Sequence, residues 1–240
     1  MWPESALPRF YQQAQDYLDP VAEQFARDDT TLITGIPWRK AQGAEYFNSI
    51  VALGAGAGLY HKQRLVPFGE YVPLEQWLRG LIEFFDMPMS SFSAGPEGQG
   101  LLLASGFRIA PFICYEVVYP DLVAQNARNA DLLVTISNDS WFGASIGPLQ
   151  HLQMARMRAL ETGRYLLRGT NNGISAIIDH QGTVLQRSPQ FEEALLSGEA
   201  QIMLGSTPAA TYGTRPVISA SALLLLTMLV MYHTFWRERD

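Results

Sequence analysis

The chain has 240 residues, of which 48% are hydrophobic, and this length and composition fit one globular domain with a sizeable core. Lysine and arginine together number 17 and aspartate and glutamate 23, so the formal net charge is −6. The basic residues are scattered, which excludes the clustered positive surface that is typical of a nucleic-acid-binding protein. The single cysteine, Cys114, excludes an intramolecular disulfide.

Residues 9–187 alternate between helical and strand patterns. Spaced apolar positions over residues 9–27 predict a helix, and residues 31–36 predict a short buried strand. Helical patterns also cover residues 119–129 and 149–163. Runs of the β type predict further strands at residues 46–53, 101–104, 107–114, 132–137, 165–169, 175–178 and 183–187. This mixture of βαβ units and hairpins predicts a layered α/β domain.

Two segments are predicted to lack regular structure. Residues 77–100 contain several methionines, serines and glycines beside the aromatic residues Phe84 and Phe85. Loops of this length are usually functional, so we interpret the segment as an apolar lid that meets lipid; the alternative is a short helix packed on the core and followed by a turn. Residues 188–211 are polar and then irregular, and they lead to the last segment of the chain.

The last segment is apolar enough to cross a membrane. Residues 216–236 provide the roughly 20 apolar positions that a bilayer core requires, which predicts a transmembrane helix; a buried core helix is the alternative. Arg237 and Arg239 follow it, so the positive-inside tendency places residues 237–240 in the cytoplasm and residues 1–211 on the other side.

Three short motifs carry residues suited to nucleophilic catalysis. They are Trp-Pro-Glu ending at Glu4, Tyr-His-Lys ending at Lys62, and Cys-Tyr-Glu beginning at Cys114. A thiol has an unperturbed pKa of about 8.5, so a nucleophilic cysteine needs a base or a nearby cation. Glu4 is suited to act as the base, while Lys62 is suited to stabilise the thiolate and the oxyanion that forms when a carbonyl is attacked.

Together these motifs resemble the nitrilase superfamily, in which Glu4, Lys62 and Cys114 would form the catalytic triad. Residues 65–73, 114–116, 138–143, 150–151 and 170–175 are similar in more detail to the apolipoprotein N-acyltransferases of that superfamily. The resemblance covers nearly the whole chain. It implies an α/β fold, a nitrilase-like αββα sandwich, followed by one C-terminal transmembrane helix.

The resemblance implies a two-step acyl transfer. Cys114 would take an acyl chain from a membrane phospholipid as a thioester, and the chain would then pass to the α-amino group of the diacylglyceryl-cysteine of an apolipoprotein. We expect a monomeric enzyme in the bacterial inner membrane, with its catalytic domain on the periplasmic side. One cysteine and four histidines without ligand-like spacing predict no metal site, and no organic cofactor is implied.

Further site residues are predicted by their position in the motifs. Glu70 is expected to position Lys62 or to shuttle a proton, or otherwise to form a structural salt bridge with Arg64 or another basic residue. Tyr115 and Glu116 lie beside the nucleophile in the sequence and are expected to support it. Three aromatic residues are candidates for binding substrate: Trp141, Phe84 and Phe85.

The resemblance also implies a first strand and several membrane helices ahead of the catalytic glutamate. We expect these elements to be missing from the chain, and Glu4 to be poorly held because the sheet beside it has an unpaired edge. Two other functions remain open. One is a hydrolase of the same superfamily that cleaves small amides or nitriles, and the other is a non-catalytic, membrane-tethered module that binds lipoproteins.

Overall fold

The computed structural model describes residues 1–41, 43, 45–71 and 92–237, with side chains as far as residue 233. Within these residues nine strands form two sheets, one of three strands and one of six. The two sheets pack face to face, and helices cover both outer faces. The predicted αββα sandwich is therefore confirmed.

The small sheet is antiparallel, with strand order β1-β2-β3. Its strands are β1 (Thr31–Arg39), β2 (Tyr46–Gly54) and β3 (Leu59–His61). Helix α1 (Gln15–Arg27) packs on its outer face through Leu18, which is fully buried. Because β3 has only three residues, it is too short to show a strand pattern, and the sequence did not predict it as a separate element.

The large sheet combines parallel and antiparallel pairs in the order β4-β5-β6-β7-β8-β9. Strands β5, β6 and β7 are parallel, so their carboxyl ends meet at one edge. Helices α2 (Pro120–Ala127) and α3 (Gly147–Thr162) cover the outer face of this sheet. The six strands are β4 (Leu102–Ala104), β5 (Phe107–Ile113), β6 (Leu132–Asn138), β7 (Leu166–Asn171), β8 (Ala176–Ile178) and β9 (Val184–Arg187).

The main core lies between the two sheets. Ile50 and Tyr60 of the small sheet meet Ile113, Val134 and Ile136 of the large sheet, and all five are buried. Full burial of a large apolar side chain contributes roughly 1.5–3 kcal/mol to the free energy of unfolding. The packing therefore fixes β3 against the end of β5, and these two strands carry Lys62 and Cys114 at their ends.

The N-terminal segment runs beside β1 and is held closely. The Trp2 amide donates to the Ile33 carbonyl at 2.9 Å, and the Gly35 amide donates to the Pro3 carbonyl at 3.2 Å. A side chain at Gly35 would collide with this segment, because its Cβ would lie 2.7 Å from the Cα of Glu4. The expectation that Glu4 is poorly held was wrong, since the backbone on both sides of it is paired with β1.

Several element boundaries differ from the prediction. The first helix begins at Gln15 rather than residue 9, because a separate 3-10 turn precedes it and the Tyr11 ring there stacks on Trp38 at 4.5 Å. The strand predicted over 107–114 ends at Ile113, since Cys114 leaves the sheet in a 3-10 turn. The segment 188–211 contains the start of a short helix, α4 (Pro208–Tyr212), whose first turn is capped by the Thr207 hydroxyl.

The C-terminal helix, α5 (Arg215–Arg237), projects from the sandwich. Its stretch Arg215–His233 has a mean hydropathy of 1.7 and none of it is buried, so the alternative of a buried core helix was wrong. By length and composition it can cross a membrane. Asp121 at the start of α2 accepts hydrogen bonds at 2.8 Å from the amide and the hydroxyl of Thr214, which ties the helix to the domain.

The predicted lid falls largely outside the described residues, which omit 72–91. Phe84 and Phe85 lie in that gap, so their predicted role stays a prediction. The described part of the segment, residues 92–100, packs on the small sheet: the Phe92 and Tyr46 rings meet edge to face at 5.0 Å, and the Gly95 amide donates to the Lys62 carbonyl at 2.7 Å.

Candidate active site

Cys114 lies at the carboxyl end of β5, where the chain turns sharply out of the sheet. Its φ of +52° is in the left-handed region, which costs a non-glycine residue roughly 1–2 kcal/mol. Strained backbone of this kind tends to occur at functional sites, where the surrounding structure enforces it. The turn places the half-buried Cys114 on the wall of a cavity, at the edge of the core between the sheets.

Lys62 is the cation of the site. It follows β3 directly and its side chain is 1% exposed. Its Nζ lies 2.8 Å from Oε1 and 2.7 Å from Oε2 of Glu70, and 3.9 Å from Oε1 of Glu4. Burial acts to lower the pKa of Lys62, but the charges of Glu4 and Glu70 outweigh it and raise that pKa. Lys62 is therefore charged at neutral pH.

Glu4 is held by a set of short hydrogen bonds. Its Oε1 accepts from the Asn48 side-chain amide at 2.6 Å, and its Oε2 accepts from the Asn138 backbone amide at 2.6 Å. The same Asn48 nitrogen lies 3.1 Å from Oε1 of Glu70. Asn48 thus bridges the two carboxylates that flank Lys62, and no free rotation is left to either of them.

The Cys114 thiol is protonated in the resting site. Burial raises its pKa to about 12, and the negative charge of Glu4 acts in the same direction. The charge of Lys62 and the nearby Ser137 side chain oppose this shift without cancelling it. A proton must therefore leave the sulfur as it attacks, and a base has to be present to receive it.

Glu116 braces the turn that carries the nucleophile. It is fully buried, and its carboxylate accepts backbone hydrogen bonds from Gln63 at 2.6 Å, from Ile113 at 2.8 Å and from Arg64 at 3.2 Å. The Tyr60 hydroxyl donates to it at 2.9 Å. Burial raises the pKa of Glu116 to about 7, although these backbone bonds oppose the shift. Glu116 therefore joins the segment after β3 to the end of β5.

Six of the predicted site residues line one cavity of about 450 Å³, while Glu116 lies outside its wall. Glu4, Lys62 and Cys114 lie on its wall together with Glu70 and Tyr115. Most of the remaining wall is apolar, with side chains of Val66, Phe68, Val118, Trp141, Phe142 and Met154. Trp141 is 65% exposed, so it belongs to the mouth of the cavity rather than to the core.

A buried polar network below the nucleophile was not predicted. Asp139 follows β6, Arg168 lies on β7 and His151 on α3, and all three are buried. Arg168 Nη2 lies 2.8 Å from Asp139 Oδ2, and His151 Nδ1 lies 3.0 Å from Asp139 Oδ1. The only sequence signal for Arg168 is a charged residue inside an otherwise apolar strand.

Replacing Asp139 by asparagine is expected to destabilise the domain strongly. The change leaves the Arg168 guanidinium buried without its counter-charge, which costs about 3–5 kcal/mol.

Burial acts to raise the pKa of Asp139, but the His151 hydrogen bond and the Arg168 charge outweigh it and hold that pKa below 3.8. Its stabilising contribution is therefore present above pH 3.8 and lost as the pH falls below that value. Urea unfolding from pH 3 to 7 measures both effects, and an Asp139→Asn domain as stable as the wild type at pH 7 would contradict them.

Comparison with known proteins identifies the family. Residues 1–209 match the family model described as carbon-nitrogen hydrolase. The chain belongs to the carbon-nitrogen hydrolase family. A carbon-nitrogen hydrolase structure from Helicobacter pylori G27 has the same fold, with a TM-score of 0.59 and 17% identity over 76% of this chain and 65% of that one.

Two relatives are similar at higher identity. An apolipoprotein N-acyltransferase of Pseudomonas paraeruginosa is 52% identical over 233 residues, which cover 96% of this chain and 46% of the relative. That of Azotobacter vinelandii is 55% identical over 229 residues, which cover 94% and 44% respectively. The chain therefore spans a little less than half the length of these relatives.

Metal ligation has no support in the described part of the chain. Among residues 1–41, 43, 45–71 and 92–237, no group of three or more histidine, cysteine, aspartate or glutamate side chains is arranged to hold a metal ion.

Proposed function

We propose that the protein is an N-acyltransferase that carries an acyl chain on Cys114 and passes it to the α-amino group of a diacylglyceryl-cysteine in an apolipoprotein. One observation carries this proposal: a cysteine beside a lysine and two carboxylates opens onto a cavity with a mainly apolar wall. Apolar walls suit an acyl chain, whereas the polar cluster suits the ester or amide carbonyl at its end. The similarity to apolipoprotein N-acyltransferases over 96% of the chain supports the same assignment.

In the first step a phospholipid ester acylates the enzyme. The Cys114 sulfur attacks the ester carbonyl carbon while its proton passes to Glu4, which the raised thiol pKa makes necessary. The carbonyl oxygen becomes an oxyanion, and the buried Lys62 ammonium stabilises it. The carbon–oxygen ester bond then breaks, the leaving alkoxide takes the proton from Glu4, and a lysophospholipid departs from the thioester.

In the second step an amine receives the chain. The uncharged α-amino group of the lipoprotein cysteine attacks the thioester carbonyl, Lys62 again stabilises the oxyanion, and the carbon–sulfur bond breaks. The amine loses a proton through Glu4, which returns it to the sulfur. Because the donor leaves before the acceptor reacts, the kinetics are expected to be of the ping-pong type.

The other predicted residues would support these steps. Glu70 would position Lys62, because both of its carboxylate oxygens lie within 2.8 Å of the Lys62 ammonium. Glu116 would hold the turn around Cys114, and Tyr115, which lies on the cavity wall, would contact substrate. Trp141 would form the mouth through which the acyl chain enters. Phe84 and Phe85 would extend that apolar entry.

The proposed location of the protein in the cell rests on the C-terminal helix and on the charges at its end. We propose that α5 spans the bacterial inner membrane, with Arg237 and Arg239 on its cytoplasmic side and the sandwich in the periplasm. The protein would act as a monomer, taking its donor from the membrane that α5 crosses.

A hydrolase is the second candidate, since water can replace the amine in the second step. The experiment that separates the two supplies vesicles of a defined phospholipid with either a synthetic diacylglyceryl-cysteine peptide or a soluble amide. Mass spectrometry then records the products. The proposal expects N-acylated peptide and lysophospholipid in equal amounts. Cleavage of the soluble amide in the absence of lipid, with no acylated peptide, would replace the acyltransferase by the hydrolase.

A further inference from the structure

The backbone of Cys114 is held by a contact from outside its own turn. The carbonyl oxygen of Cys114 lies 3.1 Å from Nε2 of His151, which reaches it from helix α3. A carbonyl oxygen can only accept a hydrogen bond, so this contact is a hydrogen bond when Nε2 carries a proton and donates it. The bond acts on the residue whose φ of +52° aims the thiol at the cavity.

The other ring nitrogen of His151 is fixed by the buried network. Nδ1 lies 3.0 Å from Asp139 Oδ1 and 3.1 Å from Arg168 Nη2. Ser137 donates to the same Asp139 oxygen at 2.5 Å. These contacts come from β6, from the turn after it and from β7, so the direction of the His151 ring is set by the strand beside β5, which carries the nucleophile, and by the next strand of the same sheet.

We propose that His151, oriented by Asp139 and Arg168, is a positioning residue that holds the Cys114 backbone and thereby the direction of the nucleophilic sulfur. The inference rests on the proposed role of Cys114 as the nucleophile. His151 transfers no proton in the reaction and acts only through Cys114. A sulfur displaced by about 1 Å loses its alignment with Lys62 and with the carbonyl, and such a shift lowers a rate by about 100-fold.

Two substitutions of nearly equal size and polarity separate positioning from packing. The side-chain amide of His151→Gln reaches close to where Nε2 lies, so it can donate to the Cys114 carbonyl. The shorter amide of His151→Asn lies near Nδ1 and cannot reach that carbonyl. His180→Gln serves as a control, because His180 lies in the turn between β8 and β9, away from the nucleophile.

The readout is the rate of alkylation of Cys114 by iodoacetamide, followed by intact mass on this chain with a single cysteine. We expect the rate to fall about tenfold or more in His151→Asn and to stay within about twofold of the wild type in His151→Gln and His180→Gln. Equal rates in the Asn and Gln variants at matched melting temperatures would overturn the proposal. The alkylation needs no acyl donor, so it tests the positioning role separately from acyl transfer. If the alkylation rates follow the expected order but the protein transfers no acyl chain, the proposed function is refuted and the positioning role is retained.

A spectroscopic measurement tests the same contact in the unsubstituted chain. In the unsubstituted chain with 15N-labelled histidine, the resonance that His151→Gln removes should show a protonated Nε2. A His151 ring with Nε2 unprotonated could not donate to the Cys114 carbonyl, and that result would overturn the proposal.

Discussion

Replacing Lys62 by methionine is expected to lower the rate of thioester formation on Cys114 by about 1000-fold. Removal of one donor to a developing oxyanion typically costs about 100- to 1000-fold, and Lys62 also stabilises the thiolate. Methionine has a similar length, so the cavity keeps its shape. The time course of acylation, followed by intact mass with a defined phospholipid, measures the change.

The same substitution should also destabilise the fold. Glu4 and Glu70 lie on either side of the Lys62 ammonium, so its loss leaves the buried Glu4 and the half-buried Glu70 carboxylates joined only through Asn48, at a cost of about 3–5 kcal/mol. The matched control is Lys40→Met, which removes the other lysine of the sequence from an exposed pair with Glu45. Near-ultraviolet circular dichroism has to show a folded sample in each case. A folded Lys62→Met protein that acylates within tenfold of the wild type would refute the assigned role.

Replacing Glu4 and Glu70 by glutamine, one at a time, is expected to distinguish the general base from the residue that positions Lys62. Glu4→Gln should lower the acylation rate by about 1000-fold, because general acid–base catalysis contributes roughly 100- to 10,000-fold. Glu70→Gln should lower it by about tenfold, since Glu70 acts through the position of Lys62. Both variants keep the size of the side chain. The measurement is again the time course of intact mass, taken with each variant in parallel.

The pH dependence supplies the control for this comparison. Without Glu4 the thiol must lose its proton to solvent, and its pKa lies well above neutrality because of burial. The acylation rate of Glu4→Gln should therefore rise about tenfold per pH unit from pH 7 to 9, in proportion to the thiolate fraction. The acylation rate of the wild type should rise less steeply. Equal losses in Glu4→Gln and Glu70→Gln with parallel pH profiles would show that the two roles are assigned wrongly.

The layered fold and the position of the nucleophile were accessible from the sequence for a physical reason. Strands such as β6 are short apolar runs between turn residues, and their burial on both faces leaves a pattern that does not depend on distant residues. The motifs around Glu4, Lys62 and Cys114 are local as well, and Lys62 and Cys114 each follow directly after a strand. Element boundaries were less accurate at Gln15 and Ile113, where side-chain packing and backbone strain decide the end.

The supporting contacts could not be predicted because their partners are distant in the chain. Asn48 sits inside the strand β2 and resembles a half-buried polar residue until Glu4 and Glu70 are brought beside it from 44 and 22 residues away. Arg168 and His151 likewise acquire their roles only when three parallel strands bring Asp139 and Cys114 together. In the sequence such residues are visible only as polar exceptions within an otherwise apolar strand or helix pattern.

The measurement that tests the central claim most directly is the intact mass of the detergent-solubilised protein after incubation with a phospholipid of defined acyl chains. The wild type, a Cys114→Ala variant and a wild-type sample treated with hydroxylamine are compared. The account predicts a gain of one acyl chain that hydroxylamine removes and that the alanine variant lacks. A folded wild-type sample with no gain, or an equal gain in Cys114→Ala, would contradict the assignment of Cys114 as the acyl carrier.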